Sequence, residues 1–574
     1  MGEETINNII DDNQPAGGYI DSIEFNNGEK LELNKNDIVI FVGPNNAGKS
    51  QSLKDINSLL DNISNDSIII NKISTKKTPK EVVLSEIKNY SCLRNHNGYI
   101  QYEGFHYNIN QYSFNEYDNS SAFGPLKQVF LSFLNTENRL SVASPAGLIN
   151  RNEARQHPIH YIAFDSNCRT KVSDSFYKAF GKRIIPNKQH GKNIPLCIGE
   201  EIDTSLLGNI NNESDRQDAY AEILEKYPTV ENQGDGIRSF CGILLNLMIP
   251  HYRVYLIDEP ESFLHPPQAN IMGKVIGETL SENQQAFIST HSQEIIKGLI
   301  DTCPERIKIV RITRSDNVNK FSILKNEDFD TIWKDPLLKY SDIMSGIFYN
   351  HVILCESDSD CKFYSIVYNE IRSEANKYSD VLFIHCGGKQ RLQKVIKALK
   401  ALNVSLIVVP DIDILNDENT VRITIEAVGG DWNVFARDYK VICSNLENSG
   451  KKIDRCTLKS QIDAIVNSST SKEMSKSELD KISSYLKCDS KWSTIKEYGE
   501  NAFLAGDCKN SYKILKQKLN ALGIFPVPVG ELECFIKEVG GHGPEWVNQV
   551  LEKYPDFSEK VYNPVKEFVK SWGI

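Results

Sequence analysis

The sequence lacks several features that mark secreted, membrane or zinc-binding proteins. Its 13 cysteines are scattered without a C-x-x-C pair, which argues against a disulfide framework and a zinc ribbon. No apolar run approaches the length of a membrane span, and the start MGEETI has no signal-peptide core. Ile6 also breaks the myristoylation pattern that Gly2 begins. We therefore expect reduced thiols and a cytoplasmic protein without membrane contact.

Two further absences limit the architecture. No long heptad repeat is present, so an extended coiled coil is not expected. The formal net charge is -11, which argues against a generally basic nucleic-acid coat but leaves room for a local basic groove. With 574 residues and 40% hydrophobic composition, the chain is long enough for several domains, each with its own core.

The most informative stretch is Asp37–Ser50, in which an apolar run leads into the sequence GPNNAGKS. The run predicts a buried strand, and the loop fits the G-x-x-x-x-G-K-[ST] pattern that cradles phosphates at a helix N-terminus. Lys49 is expected at the β- and γ-phosphates of ATP, and Ser50 at Mg²⁺. A chance Gly-rich turn is the alternative. The loop residues that we assign to nucleotide binding are Gly43, Asn45, Asn46, Gly48, Lys49 and Ser50.

Two later strands end in residues suited to ATP hydrolysis. An apolar strand ends at Asp258 and Glu259, where Asp258 is predicted to hold Mg²⁺ and Glu259 to orient or deprotonate the attacking water. A third strand ends at His291, whose imidazole is a candidate sensor of the γ-phosphate. An isolated acidic pair or histidine is more often structural. The order of these strands behind a phosphate loop favours the catalytic interpretation.

A Gly-Asp-Gly turn at residues 234–236 opens a strongly apolar helix and offers another helix N-terminus to an anion. The phosphate loop, this turn, the carboxylate strand and the histidine strand together resemble the ATP-binding-cassette ATPase head. The resemblance implies a homodimer in which the turn closes over nucleotide bound by the partner. The turn departs from the transporter-type signature. The residues expected to act across the dimer are Gly234, Asp235, Gly236 and Arg238.

After Tyr340 the pattern restarts as strands alternating with helices, which predicts a parallel sheet. Glu356, Asp360, Asp411 and Asp413 follow predicted strands, so they should converge at the carboxyl edge of that sheet. Clustered carboxylates require neutralising cations, which predicts Mg²⁺ or Mn²⁺ and hydrolysis of a phosphodiester. Solvated loop acids are the alternative, and we prefer that interpretation for Asp358.

The order Glu, Asp four residues on, a Gly-Gly loop and Asp-x-Asp resembles the Toprim domain. Placed behind an ATP-binding-cassette head, it is similar to the OLD (overcoming lysogenization defect) family of ATPase-Toprim nucleases. The resemblance implies that Glu356 is catalytic and that the later Glu531 and Glu533 also bind metal. Two positions depart from the family: Ser357 stands where glycine is common, and a catalytic lysine of some relatives is either replaced by Lys537 or His542 or absent here.

These patterns predict an α/β chain with two catalytic modules. Residues 1–340 form the cassette-type ATPase domain, in which roughly 61–227 is an inserted arm or dimerisation region. Residues 346–574 form a Rossmann-like Toprim domain with a parallel sheet and a helical insertion at roughly 440–520.

The predicted function is an ATP-regulated, divalent-metal-dependent DNA endonuclease in which Glu259, His291 and Glu356 are catalytic. The family resemblance further implies an anti-phage effector, with a retron reverse transcriptase and its RNA-DNA product as partner, or a helicase as in Gabija. The alternative is an ATP-binding sensor or scaffold with a weak or silent Toprim site that sequesters a nucleic acid or protein. A topoisomerase would need an attacking tyrosine, which 24 tyrosines leave open, but no second strand-passage module is recognisable.

Overall fold

The computed structural model consists of two compact units, Met1–Asp330 and Thr331–Ile574. Both are mixed α/β structures with parallel strands, which confirms the predicted fold class. Among the described helices, none combines the length and the apolar character that crossing a membrane requires. The residues described are 15–61, 67–96, 99–202, 212–315, 318–324, 342–375, 380–447, 455–468, 473–486, 495, 498–503 and 506–574.

The first unit contains both strands and helices. The strands are β1 (Gly18–Phe25), β2 (Lys30–Glu32), β3 (Ile38–Val42), β4 (Ile70–Lys77), β5 (Cys92–His96), β6 (Tyr99–Gly104), β7 (Tyr107–Asn110), β8 (Leu131–Leu134), β9 (Ala146–Gly147), β10 (Arg183–Pro186), β11 (Asn193–Ile194), β12 (Leu196–Gly199), β13 (Val254–Asp258), β14 (Gln285–Ser289), β15 (Ile307–Ser315) and β16 (Val318–Ile323). The helices are α1 (Lys49–Leu59), α2 (Lys80–Ile87), α3 (Gln111–Asn119), α4 (Lys127–Phe130), α5 (Thr136–Val142), α6 (Pro158–Phe164), α7 (Ser166–Phe180), α8 (Glu213–Glu225), α9 (Asp235–Asn246), α10 (Pro266–Thr279) and α11 (Gln293–Thr302).

The main sheet of this unit has the strand order β16-β15-β3-β14-β13-β8. All neighbours are parallel except the β15–β16 hairpin. Every residue of β3 and of β14 is buried, as expected for parallel strands covered on both faces. This arrangement brings the carboxyl ends of β3, β13 and β14 to one edge, where ligands bind in open α/β folds.

A second sheet, with the order β2-β1-β4, is antiparallel. Strands β1 and β2 form an antiparallel hairpin across the Asn26-Asn27-Gly28 turn. The segment 61–227 contributes β4 to this sheet and β8 to the edge of the main sheet, so part of it belongs to the body of the unit. Ile63, which the apolar pattern places on the helix after the phosphate loop, lies outside the described residues.

The second unit is built on a three-stranded parallel sheet with the order β18-β17-β19. Its core contains many aromatic side chains, including Phe363, Tyr364, Trp546 and Trp572, packed on β17 and β19. The strands are β17 (His351–Cys355), β18 (Val381–His385) and β19 (Ser405–Val409). The helices are α12 (Asp358–Glu374), α13 (Lys389–Ala401), α14 (Glu418–Val428), α15 (Asn433–Glu447), α16 (Arg455–Val466), α17 (Lys476–Leu486), α18 (Gly506–Ala521), α19 (Pro544–Lys553) and α20 (Asn563–Lys570).

Candidate functional site

The phosphate loop connects β3 to α1 and is shaped by its glycines. Gly43 has a φ of 142°, and a Cβ at this position would lie 1.9 Å from the carbonyl oxygen of Ile312, so glycine is required there. Gly48 has a φ of 107° and precedes the first residue of α1. Asn45 and Asn46 are exposed between the two glycines. The loop therefore leads directly into the N-terminus of α1, where backbone amides can meet a phosphate.

Lys49 is buried at the start of α1 and is held over the loop. Its Nζ donates to the carbonyl oxygens of Gly43 at 3.0 Å and Pro44 at 2.9 Å. Asn319 on β16 supports the same loop by donating to the Ala47 carbonyl at 2.6 Å. The neighbouring hairpin thus fixes the backbone that carries the lysine.

Asp258 stands at the end of β13, beside the end of β14. The two strands are in register, so that Asp258 pairs with Ser289, whose hydroxyl donates to the aspartate Oδ1. Ser50 of the phosphate loop donates to the same Oδ1 at 2.7 Å. The hydroxyl and carboxylate predicted to hold Mg²⁺ are therefore adjacent, and this oxygen donor set suits that ion.

Glu259 adopts a left-handed backbone conformation with a φ of 47°, which is uncommon for a residue other than glycine. Its N–H donates to the Ser289 carbonyl at 2.9 Å. The Nδ1 atom of His291 lies 3.5 Å from Glu259 Oε1 and 3.3 Å from Glu261 Oε1. The contact with Glu259 raises the pKa of His291, and the same contact lowers the pKa of Glu259. The pair therefore favours a carboxylate beside an imidazolium.

Glu261 is a buried acid that the sequence pattern left unassigned. Its Oε1 accepts from the hydroxyl of Thr290 at 2.8 Å and from the N–H of His291 at 2.9 Å. Burial raises the pKa of Glu261. Its role is to hold the end of β14, and with it His291, against the carboxylate turn.

Arg139 on α5 is a second residue that sequence reasoning missed. The side chain is 0% exposed, and its Nη1 donates to the carbonyl oxygens of Asp258 at 2.7 Å and Glu259 at 3.0 Å. Burial lowers the pKa of its guanidinium, an effect that the nearby carboxylates oppose. The residue lies in a segment with weak periodicity, and one arginine there carries no recognisable signal.

The Gly-Asp-Gly turn lies at the start of α9. Asp235 and Arg238 form an ion pair at 3.1 Å, and Arg238 Nη2 donates to the Leu140 carbonyl at 3.4 Å. A Cβ at Gly236 would lie 2.6 Å from the Phe263 carbonyl oxygen, so the turn packs closely on the loop after β13. The expectation that this turn acts on nucleotide bound by a second copy stays a prediction.

In the second unit, Glu356 follows β17, while Asp411 and Asp413 follow β19. Each of the three offers a carboxylate oxygen within 4.8 Å of the others. The N–H of Asp411 donates to Glu356 Oε1 at 3.1 Å, which ties the two strand ends together. Strand order accounts for this meeting, since β17 and β19 are parallel neighbours in register.

A second cluster joins Glu531, Glu533 and His542, again with donor atoms within 4.8 Å of one another. Glu533 Oε1 accepts from the N–H of Gly543 at 2.8 Å and lies 3.3 Å from His542 Nδ1. Asp360 is close to this cluster: burial raises its pKa, and the charges of Glu533 and Glu531 raise it further.

Members of both clusters line one cavity of about 510 Å³. Carboxylate and imidazole donors at this spacing fit one or two divalent metals, because such a set can neutralise the charge of the ions and complete their coordination. The described residues that line the cavity are Glu356, Ser357, Asp358, Asp360, His385, Gly387, Gly388, Asp411, Glu531, Leu532, Glu533, His542 and Gly543.

The positions that depart from the family pattern have clear local roles. Ser357 caps α12: its hydroxyl accepts from the N–H of Asp360 at 3.2 Å, and its own N–H donates to the Asp360 carboxylate at 2.8 Å. Asp358 is exposed and pairs with Lys362 at 2.6 Å. Lys537 Nζ lies 5.4 Å from the ring centre of Tyr498. Of the two candidates for a catalytic cation, His542 is therefore the one that lines the cavity.

Two family models match separate segments of the chain. The AAA ATPase domain matches residues 177–296, and the TOPRIM domain of overcoming lysogenization defect protein-like sequences matches residues 347–413. The first match contains Asp258 and His291, and the second contains Glu356 and Asp411. None of the curated proteins matches this chain.

Solved structures similar to the chain include heads of SMC ATPases. An SmcHead bound to the C-winged helix domain of ScpA has 13% identity and a TM-score of 0.32, covering 55% of this chain and 100% of that one. An SMC head domain from Thermotoga maritima has 11% identity and a TM-score of 0.29, covering 54% and 98%.

The order of the two family matches agrees with the order of the two units and of their candidate sites. An AAA ATPase domain followed by an OLD-like Toprim domain supports ATPase and metal-dependent nuclease activity. In this domain order the chain matches the ATPase-Toprim proteins of the OLD (overcoming lysogenization defect) family.

Proposed function

We propose that this protein is an ATP-regulated DNA endonuclease whose cutting site depends on Mg²⁺ or Mn²⁺. The observation that carries the proposal is the cavity in which two carboxylate clusters meet at the carboxyl edge of a parallel sheet. A phosphate loop with an adjacent carboxylate turn in the first unit supplies the nucleotide-dependent half.

In the ATPase unit, each candidate residue has a defined task. Lys49 and the loop amides bind the phosphates, and Ser50 and Asp258 hold the metal that accompanies them. Glu259 accepts a hydrogen bond from the attacking water and orients it. Because the Nδ1 of His291 faces two carboxylates, its Nε2 is the ring nitrogen that would meet a γ-phosphate.

In the Toprim unit, Glu356, Asp411 and Asp413 would hold one divalent metal, and Glu531 and Glu533 with Asp360 or His542 a second. Such metals, when bound, activate water and stabilise the leaving oxygen of a phosphodiester. Glu356 is held for this task by the N–H of Asp411, and Glu533 by the N–H of Gly543.

The DNA strand would follow helix α13, which begins beside the cavity after the Gly387–Gly388 loop. Arg391, Lys394 and Lys397 are exposed on this helix, while its opposite face is buried. Basic side chains on one face of a helix suit contacts with backbone phosphates. We further propose a homodimer through the ATPase units, and an anti-phage role that rests on the OLD resemblance alone.

The proposal is tested by incubating the purified protein with supercoiled plasmid in Mg²⁺ or Mn²⁺, with and without ATP. Metal-dependent nicking that Glu356→Ala abolishes is the expected result. Asp358→Ala is the matched control, because it removes an acid two residues away that pairs with Lys362, and it should cut as the wild type does. Cutting that persists in Glu356→Ala would contradict the assignment of the Toprim site.

A further inference from the structure

Glu259 is held in its unusual backbone conformation from both sides. Its N–H donates to Ser289 on β14, while its carbonyl oxygen accepts from Arg139 on α5. A non-glycine residue at a φ of 47° persists where the surroundings over-determine it, and such residues concentrate at functional sites. The direction of the Glu259 carboxylate therefore depends on these two backbone contacts.

Arg139 is suited to fix this turn because one planar group reaches several acceptors. Its Nη1 bridges the carbonyls of Asp258 and Glu259, and its Nη2 lies 3.4 Å from the hydroxyl of Thr136. The buried positive charge is compensated by the charges of the neighbouring carboxylates. A lysine, which offers one point of positive charge and no fork, cannot reproduce this bridge.

The helix that carries Arg139 also packs directly on α9. A Cβ at Gly242 would lie 1.9 Å from the carbonyl oxygen of Arg139, so the two backbones meet at a glycine. One turn earlier on α9, Arg238 donates to the carbonyl of Leu140. Helix α5 thus contacts α9 through the backbone carbonyls of Arg139 and Leu140, and the Asp258–Glu259 turn through the guanidinium of Arg139.

We infer that Arg139 is a positioning residue for ATP hydrolysis: through the carbonyls of Asp258 and Glu259 it sets the direction of the Glu259 carboxylate, and α5 links that direction to the position of α9. The inference rests on the ATPase half of the proposed function. Arg139 acts on the turn and leaves nucleotide binding to the Lys49 loop.

The test compares Arg139→Lys with Arg306→Lys in the full chain. Arg306 is also a buried arginine that donates to backbone carbonyls, those of Asn36, Leu280, Ser281 and Gln284. Replacing it therefore removes the same kind of hydrogen bonds at a position away from the Asp258–Glu259 turn. For Arg139→Lys we expect kcat for ATP to fall by about 10²-fold. The Kd for Mg-ATP should stay within about 2-fold of the wild-type value. Arg306→Lys should lower Tm and leave kcat unchanged.

A milder variant guards against a folding defect in Arg139→Lys. Thr136→Val keeps the shape of the side chain and removes one acceptor of Arg139, so kcat should fall by about 5-fold at unchanged Tm. Equal kcat losses at Arg139 and Arg306, a parallel loss of nucleotide affinity, or an unaltered kcat in Thr136→Val would each overturn the positioning role. A wild-type protein without ATPase activity would overturn the ATPase assignment itself.

Discussion

The two candidate sites differ in the charged groups that surround their acidic residues. In the ATPase unit, Asp258, Glu259 and Glu261 lie among cationic groups of the chain itself, including Arg139 and His291. In the Toprim unit, the described residues that line the cavity include six carboxylates, and their basic types are limited to the histidines at 385 and 542. We therefore expect the acids of the first site to be balanced by cationic groups of the chain, and those of the second to be balanced in part by the divalent metals proposed above.

The largest expected effect tests whether the two sites are independent. The difference between them would be contradicted if loss of the nucleotide site also disturbed the Toprim site. Lys49→Ala removes the ammonium expected at the β- and γ-phosphates, so ATPase activity should fall by about 10²-fold or more. Metal-induced stabilisation of the second unit should be unchanged. Lys54→Ala is the matched control, since Lys54 is exposed on the same helix. Both effects are measured by phosphate release and by thermal denaturation with added Mn²⁺.

The stabilities of the two units should respond to pH in opposite directions, which would strengthen the contrast between them. Burial lowers the pKa of His251 in the first unit to about 3. Because the unfolded chain binds the proton more tightly, this unit should lose stability as pH falls below 6.5, by about 2 kcal/mol at pH 5. In the second unit, burial raises the pKa of Asp360, so its contribution to stability grows as pH falls and is lost as pH rises through the raised pKa.

The two pH slopes can be measured separately in one sample with EDTA present. All five tryptophans, at positions 333, 432, 492, 546 and 572, fall within the residue range of the second unit, and among the described ones Trp546 and Trp572 are buried in its core, so tryptophan fluorescence reports urea unfolding of that unit. Far-UV circular dichroism reports both. His251→Phe should flatten the slope of the first unit. Parallel slopes in the two units would contradict this difference.

Neutralising one acid of the Toprim site should change the free energy of unfolding in opposite directions in the absence and in the presence of metal. Without metal, Asp411→Asn should raise the free energy of unfolding by about 1 kcal/mol, because it removes a close like charge. With saturating Mn²⁺ the same variant should be less stable than the wild type, because a ligand is lost. Asp258→Asn should lack the first effect, since Ser50 and Ser289 donate to that carboxylate.

The smallest effect concerns the cap of α12. Ser357→Ala removes the hydroxyl that accepts from Asp360 N–H and should destabilise the second unit by about 1 kcal/mol, whereas Ser357→Gly should cost a few tenths. Urea denaturation followed by tryptophan fluorescence distinguishes the two. An unchanged stability in Ser357→Ala would mean that the hydroxyl contributes no cap.

The functional residues at the strand ends could be predicted from the sequence, because their positions follow from apolar periodicity and from parallel strand pairing. The apolar runs before Gly43, Asp258 and Glu356 are strands, and the acids that follow β17 and β19 do meet. Arg139 was not readable, because its importance arises from backbone carbonyls that are distant in sequence. The same reason hid the placement of β8, a four-residue strand whose position depends on its pairing with β13.

The cap at the start of α12 bears on which residues position 357 can accept. Ser357 has a φ of -126°, which is ordinary extended backbone that any residue adopts. Glycine is therefore not demanded here by geometry, in contrast to Gly43. Exchange between serine and glycine at this position is therefore expected to be nearly neutral, and the serine by itself is no argument against a cutting site in this chain.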